Sequence, residues 1–104
     1  MEVVLGYITY ENEQKAKEIV SVLLEKRLIA CANIFPIKSS YWWKGKIEDS
    51  NEVVSIVKTR PELWDKLREE IERIHPYEVP CILRIEGRAN ESYARWLYEE
   101  TLSP

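Results

Sequence analysis

Ser40-Tyr41-Trp42-Trp43-Lys44-Gly45-Lys46-Ile47 is the stretch on which the fold turns. Three consecutive aromatic residues run into Lys-Gly-Lys. A glycine between two lysines supplies the positive φ that a tight hairpin turn needs. Strand-forming residues lie on both sides, over 29–43 and 47–59, so the middle of the chain reads as one unusually long β-hairpin. Adjacent tryptophans beside a turn are unexpected, since a turn tip faces water and an indole ring gains from burial. Those rings need a cover, and one small domain has little surface with which to supply it.

Working outward, residues 3–10 are apolar, β-branched or aromatic on both parities, the pattern of a central strand. Asn12 stands where an N-cap belongs, and Ala16, Ile19, Val20, Leu23 and Leu24 then repeat at helical spacing. Lys26 and Arg27 are expected in the last turn of that helix, where the macrodipole favours cations. The following strand meets Pro36, which predicts an edge position or a bulge. The polar run 48–51 predicts a second irregularity. Thr59 and Glu62 have the spacing of a capping box, although Pro61 biases Arg60 towards the capping position. Leu63, Trp64, Leu67, Ile71 and Ile74 mark a second helix, ended by Pro76. A fourth strand is expected over 79–86, and a short helix follows Asn90. The order strand-helix-strand-strand-helix-strand, with an extra C-terminal helix, predicts an α+β ferredoxin-like split β-α-β fold. Right-handed crossovers place the first and third strands in the centre. Cys31 and Cys81 then lie on opposite edges, about 14 Å apart and too far for a disulfide.

The totals narrow the possibilities. A chain of 104 residues is expected to form one domain, 1–104, with its own core. The net charge of −3 disfavours a general nucleic-acid binder. Acidic residues are sixteen Glu and two Asp, with a single Gln, an enrichment associated with thermostable proteins. No apolar run approaches the ~18 residues of a membrane span, and no basic leader is visible at Met1. Two cysteines fifty positions apart suggest reduced thiols in the cytoplasm.

Fold alone names no function. The third strand, Glu52-Val53-Val54-Ser55-Ile56-Val57-Lys58, lacks the stacking aromatics of an RNA-binding sheet. Neither cysteine belongs to a Cys-x-x-Cys pair, and Gly6, Gly45 and Gly87 are isolated, so no phosphate loop is present. With one histidine and no paired nucleophile and base, no catalytic constellation is visible, and the chain is not expected to be an enzyme. His75 is either a metal or ligand anchor or a helix-end residue held near Pro76. Cys31 is either a soft ligand or a small buried thiol. Lys58 and Arg84 could meet an anion in a cleft or pair with Glu. Tyr41, Trp42, Trp43 and Tyr77 form either a ligand platform or a subunit contact.

Ala30-Cys31-Ala32-Asn33, Tyr41-Trp42-Trp43-x-Gly45-x-Ile47, Lys58-Thr59, His75-Pro76-Tyr77-x-x-Pro80 and Tyr93-x-x-Trp96-Leu97 together resemble the divalent-cation tolerance family, CutA. The resemblance covers the chain almost end to end. It implies a ferredoxin-like subunit in a tight homotrimer similar to the PII signalling proteins, with the long hairpin reaching neighbouring subunits. It also implies a cytoplasmic protein concerned with copper or another divalent cation, with no organic cofactor and no established reaction. The copper ligands proposed in that family fall here on Ile8, Ile74 and His75, so only His75 matches. The expected function is a trimeric, cytosolic divalent-metal (copper) tolerance protein, with His75 and Cys31 contributing to the metal site. One alternative is a PII-like signalling trimer that holds a small anionic ligand between subunits, near Lys58, His75, Tyr77 and the hairpin aromatics. The other is a scaffold for a partner protein.

Overall fold

Strand β1 (Glu2–Tyr10), helix α1 (Glu13–Glu25), strands β2 (Cys31–Trp43) and β3 (Lys46–Thr59), helix α2 (Trp64–Ile74), strand β4 (Ile82–Arg88) and helix α3 (Glu91–Glu100) follow one another along the chain. The computed structural model describes residues 1–103. The sheet order is β2-β3-β1-β4, with every neighbouring pair antiparallel. The fold is therefore α+β and ferredoxin-like, with β1 and β3 central as their apolar sequences require. Cys31 and Cys81 are both free thiols.

Alternation along β1 sorts its side chains between two faces. Val4, Ile8 and Tyr10 pack with Val57 of β3 against Ala16, Ile19 and Leu23 of α1 and Leu67 and Ile71 of α2. Gly6 stands in the same row. A Cβ there would lie 2.8 Å from Val57 Cγ2 and 3.3 Å from Trp64 Cζ3, so the glycine lets Trp64 close onto the sheet. The opposite face is only partly covered. Helix α3 lays Ala94 and Leu97 over Val3, with Leu5 packed beside them. Arg60 secures that helix by donating to Thr101 Oγ1 at 3.0 Å and to the Tyr98 carbonyl. Outside the area that α3 covers, Phe35, Leu83 and Ile85 remain exposed, as does Trp96 of α3 itself.

The β2–β3 register runs unbroken from Cys31↔Lys58 to Trp43↔Lys46. No bulge forms at Pro36, because β2 is an edge strand and tolerates the missing donor. The second irregularity expected over 48–51 is also absent, since those residues pair in register. The two-residue loop has φ 50° at Lys44 and 79° at Gly45. Both are positive, as a type I′ turn requires, so its twist matches the strands and pairing continues to the tip. Pairing of β3 with β1 ends at Val53↔Tyr10. Past that point the hairpin is an arm two strands wide, overhanging the sheet by about 20 Å. The molecule accordingly measures 45 × 24 × 21 Å. Its radius of gyration is 14.3 Å, against about 13 Å for a compact chain of this length.

Three element ends differ from the sequence expectation. Helix α1 stops at Glu25; Lys26 is its C-cap, and Arg27 takes φ 55°. The Arg27 and Leu28 amides donate to the Leu24 and Leu23 carbonyls, both at 3.0 Å, which is a Schellman closure. Thr59 belongs to β3, and its buried hydroxyl has no partner, so the capping box does not form. Arg60, held extended before Pro61, caps the 3-10 turn Pro61–Leu63 that leads into α2. Strand β4 begins at Ile82 instead of 79, after Pro80 has removed a backbone donor.

Candidate functional site

The end of β1, the root of the arm and the segment 75–81 meet at one end of the sheet. His75 is the residue that joins them. Pro76 stops α2 and leaves His75 extended, at φ −73° and ψ 133°. The imidazole stacks on Tyr10 with ring centres 5.3 Å apart and meets the Tyr77 ring edge-on at 4.7 Å. Its Nε2 lies 2.8 Å from the Thr9 carbonyl oxygen, and its Nδ1 lies 3.1 Å from the Tyr77 amide nitrogen. A carbonyl only accepts and an amide N–H only donates. A single neutral tautomer satisfies both, with the proton on Nε2. Burial holds the His75 pKa below its ordinary value, opposed by the Thr9 hydrogen bond and by the charges of Glu11 and Glu52.

This clamp sets the position of Tyr77, whose hydroxyl donates to Glu52 Oε2 at 2.7 Å. Burial, and then the Glu52 contact, push the Tyr77 phenol above its ordinary value. Between the arm and segment 75–81 lies an open cleft of about 870 Å³. Tyr7, Tyr41, Trp42, Trp43 and Tyr77 supply its aromatic lining. Its charged groups are Glu52, Glu78 and Lys38, and the Cys81 thiol also lines it. Burial, followed by the Glu52 charge, raises the Cys81 pKa.

Of the residues singled out from sequence, Tyr41, Trp42, Trp43 and Tyr77 come together here, with His75 behind Tyr77. Lys58 does not join them. The register places it opposite Leu5 and Cys31, and its ammonium sits 5.6 Å from the centre of the Tyr93 ring. The cation expected to attract an anion is therefore at the other end of the sheet. Cys31 is there as well, with Sγ 3.2 Å from the Tyr93 hydroxyl. Arg84 lies over the Trp64 ring at 5.9 Å, on the helix-covered face.

The same register tests the metal pair. Four residues of β1 separate the row of Cys31 from the Thr9 carbonyl that holds His75, which keeps the two about 13 Å or more apart. An imidazole ligates a metal through its unprotonated nitrogen, and in His75 that nitrogen already accepts from Tyr77. Ile8 is fully buried in the core and Ile74 packs against it. Among the described residues no three His, Cys, Asp or Glu side chains gather as a metal-binding group. His75 and Cys31 thus do not fit a shared copper centre within one subunit. Glu52, Glu78 and Cys81 were missed as cleft residues. The strand register alone signals Glu52, because it places that carboxylate opposite Ile37, just beyond the last β1 pairing.

These features define a class: ferredoxin-like proteins whose central hairpin overhangs the sheet and whose last helix returns over the open face. Within it, the chain belongs to the CutA1 divalent ion tolerance protein family, whose model matches residues 4–100. The divalent-cation tolerance protein CutA of Thermotoga maritima is 50% identical over 101 residues, covering 95% of this chain and 99% of that one. The crystal structure of a single-site variant of CutA1 from Pyrococcus horikoshii superposes with a TM-score of 0.94 at 46% identity, covering 96% and 99% of the two chains. A structure from Archaeoglobus fulgidus, described as a periplasmic divalent cation tolerance protein, superposes with a TM-score of 0.90 at 44% identity, covering 96% and 98%.

The clamp makes a prediction about pH. With its folded pKa depressed, His75 binds fewer protons in the native state than in the unfolded one as pH falls below about 6.5. Its contribution to stability is complete above that pH and is lost as pH falls through the folded value. His75→Ala leaves the Thr9 carbonyl and Tyr77 amide unpaired and costs about 1–3 kcal/mol near neutrality. Denaturant titrations at several pH values should show that loss, together with a shallower decline of stability between pH 7 and 5 in the variant.

Proposed function

We propose that the chain acts in divalent-cation tolerance as a cytoplasmic homotrimer of one-domain subunits, with Cu(II) or another divalent cation as its ion. The observation that supports assembly is the uncovered apolar surface; the number three follows from the family resemblance. Phe35, Leu83, Ile85 and Trp96 are exposed beside an arm that bears Tyr41, Trp43, Ile47 and Trp42, the last 72% exposed. Exposed apolar surface on this scale marks a protein interface. A closed ring of three gives every arm a neighbour to lie on and leaves no copy of the patch open. Two unpaired cysteines support a reducing compartment. The part played by metal follows from the family, since His75 and Cys31 do not form a site within one subunit.

A second reading, a PII-like signalling trimer that holds a small ligand, is favoured by the cleft itself. Its volume of about 870 Å³ lies within the range of small-molecule sites. On either reading the cleft stands at a subunit boundary, because the arm forms one of its walls.

Light scattering should give the mass of three chains, and Phe35→Glu combined with Leu83→Glu should reduce it to that of one. A monomeric wild type would contradict the assembly. Calorimetric titration of Cu(II) should give the same affinity in wild type and in His75→Ala, because the imidazole is committed to backbone partners. Loss of binding in the variant would restore His75 as a ligand.

A further inference from the structure

The charge within the cleft points to the chemistry of its occupant. Glu52 is half-buried, and among the described residues no cationic side chain is paired with it. Tyr77 occupies its Oε2 and leaves Oε1 without a side-chain donor. Glu78 adds a second carboxylate, while Lys38, exposed, is the one cation in the lining. Burial first, and then the nearby Glu52 carboxylate, raise the pKa of Tyr77 and Cys81, and the same carboxylate opposes the depression that burial imposes on His75. An anion would meet both carboxylates without help from Lys58. A metal ion would need about six oxygen ligands, whereas the lining offers two carboxylates beside five aromatic residues.

Glu52 is half-buried with one neutral donor and no cation, so a cation brought to its free oxygen gains a charge-assisted contact. Ring faces of Trp and Tyr attract cations as well. We propose that this cleft binds a small organic cation, an ammonium group carried on an apolar body, with Glu52 as its counter-ion and Tyr41, Trp43 and Tyr77 around the body. The proposal rests on the reading of the cleft as a ligand site and specifies the ligand's class.

The test is calorimetric titration of the purified, assembled protein with three probes that share a phenyl ring and differ in charge: benzyltrimethylammonium, benzyl alcohol and benzenesulfonate. The ammonium should bind about tenfold or more tightly than the alcohol, and the sulfonate should not bind. Glu52→Gln keeps an acceptor for the Tyr77 hydroxyl. It should weaken the ammonium about tenfold and leave the alcohol unchanged, with circular dichroism and particle mass as in wild type. Equal binding of ammonium and alcohol, preference for the sulfonate, no effect of Glu52→Gln, or no binding of any probe because a neighbouring subunit fills the cleft would each overturn the proposal. Particle mass is measured on the same sample, so the two results are separable. A three-chain particle that ignores the ammonium overturns this inference alone, and a monomer that binds it overturns only the trimer.

Discussion

Beyond the Tyr10↔Val53 pair the sheet narrows to two strands, and the arm they form cannot stabilise itself. An isolated hairpin is marginal in water, because half of its backbone groups and both of its faces stay wet. This arm is extended to its tip all the same, with every pair in register and a type I′ turn at its end. Its aromatic residues are what a sequence would place there if a third layer were to be supplied from outside. The half-covered sheet face carries the same requirement, since α3 shelters Val3 and leaves Leu83 and Ile85 exposed. Tyr41, Trp42 and Trp43 belong both to the exposed apolar surface and to the cleft lining, so the proposed interface and the proposed ligand site share one region of the molecule.

His75 links that region to the core. Its two nitrogens hold the end of β1 and the start of the 75–81 segment, and its ring is packed between Tyr10 and Tyr77. The lone histidine therefore acts through position: it holds the Tyr77 amide, and the Tyr77 hydroxyl donates to Glu52 in the cleft wall. Where the resemblance set two further copper ligands, this chain has Ile8 and Ile74, both part of the hydrophobic packing. The loss of those ligands and the commitment of His75 to backbone partners point the same way.

Much of the fold was legible in the sequence because the pattern and the topology rules agree. Two uniformly apolar strands became the central pair, Gly45 marked the turn, and the stripe from Leu63 to Ile71 marked α2. Element ends were less legible, since they depend on tertiary contacts. Arg27 could adopt a positive φ because its backbone carbonyl accepts from Leu102 and its guanidinium pairs with Glu100, none of which local propensity conveys. In the cleft, the aromatic residues were recognisable by type and the Glu52 carboxylate was not. Among sixteen glutamates, only the strand register distinguishes Glu52 from those on solvated faces. Lys58 misled for the converse reason: its type suits an anion site, but its row on β3 lies under Tyr93.

Amide hydrogen exchange along the arm tests the central claim most directly. If a neighbouring subunit covers it, amides over 38–42 and 47–51 should exchange as slowly as those of β1, including the outward-pointing amides that have no partner within the chain. Exchange throughout the arm at the rate of an exposed ribbon, with β1 fully protected, would contradict the account and leave the aromatic hairpin without its cover.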